Sequence, residues 1–148
     1  MTDYLETTVD KFTFKVATDR LYSAEGIWAL ALGNRVRIGL SDFVQQRSGD
    51  VAFAEVKPLG TVATFGEEVA SIETIKVTIS LLAPVSGVIV EVNPGLSTAA
   101  EVINQDPYGV GWLVVVEAAH WETDKSRLLD PQAYFELMKR EAELEARR

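Results

Sequence analysis

With 148 residues, 47% of them hydrophobic and 24% charged, the chain is large enough for one domain that buries its own core. A net charge of -8 argues against nucleic acid, whose phosphates demand basic patches, and suits partners with basic docking surfaces. The absence of cysteine removes disulfides, thiolate metal sites and a cysteine nucleophile, and fits a reducing compartment.

The acidic start, MTDYLETTVD, lacks the basic residues and apolar block of a signal peptide. The longest uncharged stretch, Val77 to Val90, is interrupted by Pro84 and Gly87 and is too short to span a bilayer. The expectation is a cytoplasmic monomer with no membrane partner.

In chain order, KFTFKV (residues 11–16) alternates polar and apolar residues as an edge strand does, within an extension over residues 1–20. GIWALALG and RVRIGL follow, joined by Gly33-Asn34, a two-residue hairpin signal. SDFVQQ begins with a capping residue, Ser41 or Asp42, and reads as one helical turn. VAFAEV, EVASIETI, VTISLLAPV, GVIVEV and GWLVVVEAA are rich in Val, Ile and Thr and punctuated by glycine and proline. Short strands at this spacing predict a mainly β barrel or sandwich over residues 21–148. Asp130 as N-cap and Pro131 at the first helical position predict a C-terminal helix over 131–146. Its apolar stripe is Tyr134, Leu137, Met138 and Leu144, with Glu136–Arg140 and Glu143–Arg147 spaced for ion pairs. Docking on the domain's own sheet is the expected use of that stripe.

Conventional catalysis finds no residues here. His120, the only histidine, has no nucleophile to serve and reads as a surface or packing residue. Glu67-Glu68 and Glu141/Glu143/Glu145 read as solvated charge, not metal ligands. Gly109-x-Gly111 precedes a strand, the wrong context for a phosphate loop. A non-catalytic carrier or binding module is expected, without a metal.

Lys76 is one of only two basic residues between Arg47 and Lys125. Strand-like runs flank it almost symmetrically, each reaching a glycine, Gly66 or Gly87. A lysine on such a tip offers a free amine for acylation; an exposed edge-strand lysine that blunts aggregation fits the residues equally well.

The wider pattern decides between them. IETIKVT, then APVSGVIVEVN, then VINQDPYGVGWLVVV resembles the H-protein family of lipoyl carriers over about residues 20–140. Glu73, Lys76, Pro84, Ser86, Gly87, Asn93, Asn104, Pro107, Tyr108, Gly111 and Trp112 match that family's pattern in order and spacing. A biotin carrier would show Met-Lys-Met, which Ile75-Lys76-Val77 is not.

The resemblance implies a lipoyl-domain fold, the barrel-sandwich hybrid of two packed antiparallel sheets, with short flanking helices. It implies lipoate amide-linked to Lys76 at a hairpin tip, with Glu73 recognised by the lipoate-attaching enzyme. It also implies a cleft for the arm near Ile27, Trp28, Phe43 and Ser80. At three of these positions the chain departs from the family. Gly26-Ile27 replaces His-Glu, Phe43 replaces a histidine, and Ser80 replaces an aspartate.

A cleft without those groups shelters an aminomethyl ammonium poorly. The departures point to the H-protein-like branch of lipoate-binding proteins that serve the heterodisulfide-reductase-like complex in sulfur oxidation. The alternative is an H-protein of glycine cleavage, with the cleavage enzymes and dihydrolipoamide dehydrogenase as partners. A non-lipoylated structural paralogue fits less well, because Glu73 and Lys76 are both intact.

Overall fold

The computed structural model describes residues 2–147. It opens with a hairpin, β1 (Tyr4–Val9) and β2 (Phe12–Ala17), turned at Asp10-Lys11 with Asp10 at φ 59°. KFTFKV is thus a strand, but its partner is Tyr4–Val9. The two form a separate sheet and not an added edge of the carrier sheet. β1 alternates exposed and half-buried residues, so only one face of the hairpin finds a neighbour.

Next come β3 (Leu21–Tyr22), β4 (Ile27–Leu32) and β5 (Arg35–Leu40), the last two joined by Gly33-Asn34. Helix α1 (Asp42–Ser48) is capped by Ser41, whose Oγ accepts from Val44 N–H at 3.3 Å. It runs longer than the single turn expected, because Phe43, Val44 and Gln45 find buried sites. β6 (Val51–Val56), β7 (Val62–Ala63), β8 (Glu68–Thr74), β9 (Thr78–Leu82) and β10 (Gly87–Val92) follow. After a 3-10 turn (Pro94–Ser97) come α2 (Val102–Gln105), β11 (Val114–Ala118), α3 (Trp121–Lys125) and α4 (Pro131–Ala146).

All strand pairing is antiparallel. One six-stranded sheet runs β3-β4-β5-β11-β10-β7, and a three-stranded sheet runs β6-β8-β9. Between them lie Val36, Ile38, Val69, Ile72, Ile89 and Val116 in one core cluster. Fully burying such side chains contributes about 1.5–3 kcal/mol each, which offsets much of the roughly 1–2 kcal/mol per residue that ordering the strands costs. Among the described residues no helix is long and apolar enough to cross a membrane.

α4 packs on the N-terminal hairpin and on β3. Its buried face is narrower than expected: Tyr134, Met138 and Ala142, spaced four apart, with Leu137 half-buried and Leu144 54% exposed. Tyr134 stacks on Tyr22 with ring centroids 4.5 Å apart and shares a hydrogen bond with Ser41 Oγ at 2.8 Å. Neither of the two ion pairs expected along α4 forms among the described residues. Arg47 of α1 instead reaches Glu141 and Glu145, at 3.5 and 3.6 Å. An exposed i,i+4 pair gains a few tenths of a kcal/mol, too little to outcompete other geometries.

Candidate functional site

β8 and β9 form a hairpin in which Glu73 faces Thr78, leaving Ile75, Lys76 and Val77 at the tip. Thr74, 7% exposed, organises that tip. Its Oγ1 accepts from the N–H groups of Lys76 and Val77, each at 3.1 Å, and donates to Val77 C=O at 3.2 Å. Thr74 N–H also donates to Val77 C=O at 2.8 Å. One hydroxyl thereby uses both lone pairs and its proton, and the loop closes with no residue at positive φ. The local signal for this is the threonine of "TIKV", a residue type whose hydroxyl closes turns on its own backbone.

Lys76 is exposed and makes no ion pair among the described residues. Ile75 at 79% and Val77 at 45% exposed put two apolar side chains beside a free amine. Glu73 is exposed on the outer face of β8, between the buried Ile72 and Thr74. The stem of Lys76 passes over Gly49, the residue that ends α1. A Cβ there would lie 3.3 Å from Lys76 Cε, and Gly49 sits at φ 89°, where other residues are strained. Asn104 holds this segment, donating to Gly49 C=O and Gln45 Oε1 at 3.0 Å each and accepting from Val51 N–H at 2.9 Å.

A groove of about 410 Å³ brings together three of the four cleft candidates, Ile27, Phe43 and Ser80. Trp28 is the exception. It is fully buried, its Nε1 donating to Leu40 C=O at 2.9 Å and Pro107 C=O at 3.0 Å, with the Arg20 guanidinium 4.5 Å from its ring. It holds the wall from behind and does not reach the groove. The alternation along β4 does not hold here, since Ile27, Trp28 and Ala29 are all buried.

The groove also contains Glu25, Glu141 and Arg47, which sequence reasoning missed because they converge from a turn, α4 and α1. Ser80 Oγ donates to Glu68 Oε1 at 2.9 Å, adding another carboxylate near the rim. Gly26, where the family has histidine, adopts φ 86° beneath α4. A Cβ there would meet Tyr134 Oη at 2.8 Å and Ser41 Oγ at 3.0 Å, so helix packing excludes the histidine.

Two further ionisable groups brace this end of the molecule. Burial works to raise the Asp19 carboxyl, but Arg20 (by hydrogen bond at 2.7 Å and charge) and Thr2 outweigh it, leaving its pKa below 3.8. Burial pushes the Tyr108 phenol up to about 12; its hydroxyl donates to Lys15 C=O at 2.7 Å, tying the hairpin to the domain.

An exposed lysine on a hydrogen-bonded β-turn with apolar neighbours is the arrangement that a carrier of a covalently tethered group needs. The chain belongs to the glycine cleavage H-protein family, whose model matches residues 20–141. Members carry lipoate bound covalently to a lysine and are not themselves catalysts.

Among its relatives, the glycine cleavage system H protein of Thermus thermophilus is 39% identical over 127 residues, 86% of this chain and 98% of that protein. That of Stenotrophomonas maltophilia is 44% identical over 115 residues, 77% and 87% of the respective chains. The probable glycine cleavage system H protein 1 of Saccharolobus solfataricus is 37% identical, covering 85% and 93%. In structure the chain is similar to a glycine cleavage system H protein from Mycobacterium marinum, with TM-score 0.70, 32% identity and coverage of 79% and 94%.

Proposed function

We propose that Lys76 is the lipoyl attachment site and that the loaded arm carries an aminomethyl group between the enzymes of glycine cleavage. The observation that carries the attachment is the Thr74-locked tip, which presents one unpaired amine outside the sheet. Lipoate, when bound there, supplies the dithiolane redox chemistry that a chain without cysteine lacks. The protein's own contribution is positional: the turn is rigid, so only the tether moves between partner sites. Glu73, exposed on the strand leading to the tip, is the contact for the attaching enzyme.

Two supports favour glycine cleavage over sulfur oxidation as the pathway. The relatives carry that name over nearly their full length. The groove, although it lacks the family's glutamate, histidine and aspartate, holds Glu25 and Glu141, carboxylates able to face an ammonium. Partners are then glycine decarboxylase, the aminomethyltransferase and dihydrolipoamide dehydrogenase, in the cytoplasm. The sulfur-oxidation reading keeps one specific observation: Ile27, Phe43 and the cation Arg47 line the same groove and suit an anionic, sulfur-bearing cargo.

Incubation with lipoate, ATP and a lipoate-attaching enzyme should add one lipoyl group by intact mass, and none to Lys76→Arg. Modification persisting in that variant, or mapped to Lys57, overturns the assignment. The lipoylated protein should then support glycine–bicarbonate exchange with glycine decarboxylase. Glu141→Gln should weaken it by up to about 1 kcal/mol, because the carboxylate is 40% exposed and shared with Arg47. A lipoylated chain inert in exchange rejects glycine cleavage and leaves the sulfur-oxidation reading.

A further inference from the structure

The Ile27–Ser80 groove is not the one that Lys76 lines. Lys76 belongs to the wall of a second groove, about 360 Å³, on the other side of Phe43 and Arg47. Its remaining walls come from the N-terminal hairpin (Val9, Asp10, Phe12 and Phe14), from Gln46 of α1 and from the end of α4 (Ala142, Glu145 and Ala146). The hairpin lies almost wholly before residue 20, where the family match begins. One wall of this groove is therefore supplied by a segment outside the family match, the others by Phe43, Arg47, Lys76 and the end of α4.

Three phenylalanines give the lining an aromatic patch, beside which Asp10, Gln46, Arg47 and Glu145 are polar. Phe14 meets Phe43 edge-on with centroids 5.2 Å apart, and Phe12 lies 6.4 Å from Phe14. Phe12 is 49% exposed, a large apolar ring left without cover beside the amine. Arg47, whose guanidinium lies 4.9 Å from the Phe43 ring, separates the two grooves.

We propose that the hairpin groove is a resting dock for the lipoyl arm of Lys76, distinct from the groove that shelters the loaded arm. This rests on lipoylation at Lys76. The occupant follows from chemistry on the page: an alkyl tether rooted on a lysine that already lines the groove, ending in a disulfide ring. Divalent sulfur packs favourably against aromatic edges, and the tether's methylenes gain by leaving water. Gly49 steers the root, because its missing side chain is the space the Lys76 stem crosses. With the cargo absent, the uncharged dithiolane packs on the phenylalanines, which the Ile27–Ser80 groove lacks apart from Phe43. The arm thereby has two stations, one for the unloaded dithiolane and one for the loaded arm.

The test uses the full-length chain, apo and lipoylated, with fluorine-labelled phenylalanine and methyl-labelled isoleucine observed by NMR. Lipoylation should shift Phe12 and Phe14 and leave Ile27 and Ile79 little changed. A water-soluble phosphine should reduce the dithiolane about tenfold faster in Phe12→Ser than in wild type, for an arm docked about nine-tenths of the time. Phe12 is half exposed, so that variant should keep the wild-type circular dichroism. Shifts confined to Ile27 and Ile79, or equal reduction rates in the folded variant, overturn the hairpin dock alone. A chain that cannot be lipoylated at Lys76 overturns the dock together with the attachment site.

Discussion

Replacing Thr74 by valine removes one oxygen and little else. The two side chains have nearly the same shape, and Thr74 is only 7% exposed, so packing around Cβ is retained. The loss is three hydrogen bonds: two N–H groups at 3.1 Å and the donation to Val77 C=O at 3.2 Å. Each is worth about 0.5–1.5 kcal/mol net, and more if its partner stays buried and unmade. The tip itself is exposed, so water re-solvates much of what is freed, and the sum should be about 1–2 kcal/mol rather than the full total. That opens the turn without unfolding the sheet.

Hydrogen exchange at the Lys76 and Val77 amides should speed up roughly 5- to 30-fold, since every 1.4 kcal/mol is tenfold. The rate of lipoylation should fall, because the attaching enzyme meets a disordered tip. Thr74→Ser, which keeps the hydroxyl, should restore both. If Thr74→Val exchanged like wild type, or Thr74→Ser behaved like Thr74→Val, the hydroxyl would not be what holds the tip.

Glu73→Ala should melt like wild type, since the residue is exposed, yet be lipoylated more slowly; unchanged kinetics would leave Glu73 as ordinary surface charge. Gly26→Ala should lower stability by about 1–3 kcal/mol in urea titration, from positive-φ strain and the crowding against Tyr134 and Ser41. Asp19 has a folded pKa below its ordinary 3.8, so its stabilisation is present above that value and lost as pH falls through the folded pKa. Asp19→Asn should flatten the acid limb of a stability–pH curve. For Tyr108 the sign reverses: a phenol raised from 10 to about 12 stabilises fully below pH 10 and loses this between 10 and 12. Tyr108→Phe should therefore shift alkaline unfolding, followed by phenolate absorbance.

Local patterns carried much of the fold by themselves. The Gly33-Asn34 turn, the Val- and Ile-rich runs and the Asp130-Pro131 helix start are short-range signals, because backbone geometry and the two-residue strand period act over a few residues. Lys76 at a tip was legible for the same reason: the tip is made by its own neighbours, with Thr74 as the local brace. What needed the tertiary structure is everything that depends on distant segments meeting. KFTFKV reads as a strand, but only pairing with Tyr4–Val9 and docking on α4 decided that it forms a separate sheet. Ile27 and Trp28 are neighbours in sequence, yet one lines the groove and the other is sealed behind it by Gly39, Pro107 and Arg20. Glu141 reads as solvated charge, and nothing local singles out Glu25 or Arg47; only the folded chain brings the three around one space, and that sets the groove's electrostatics. Periodicity encodes which way a side chain faces, whereas which charges share a cavity is decided by long-range packing that no local pattern records.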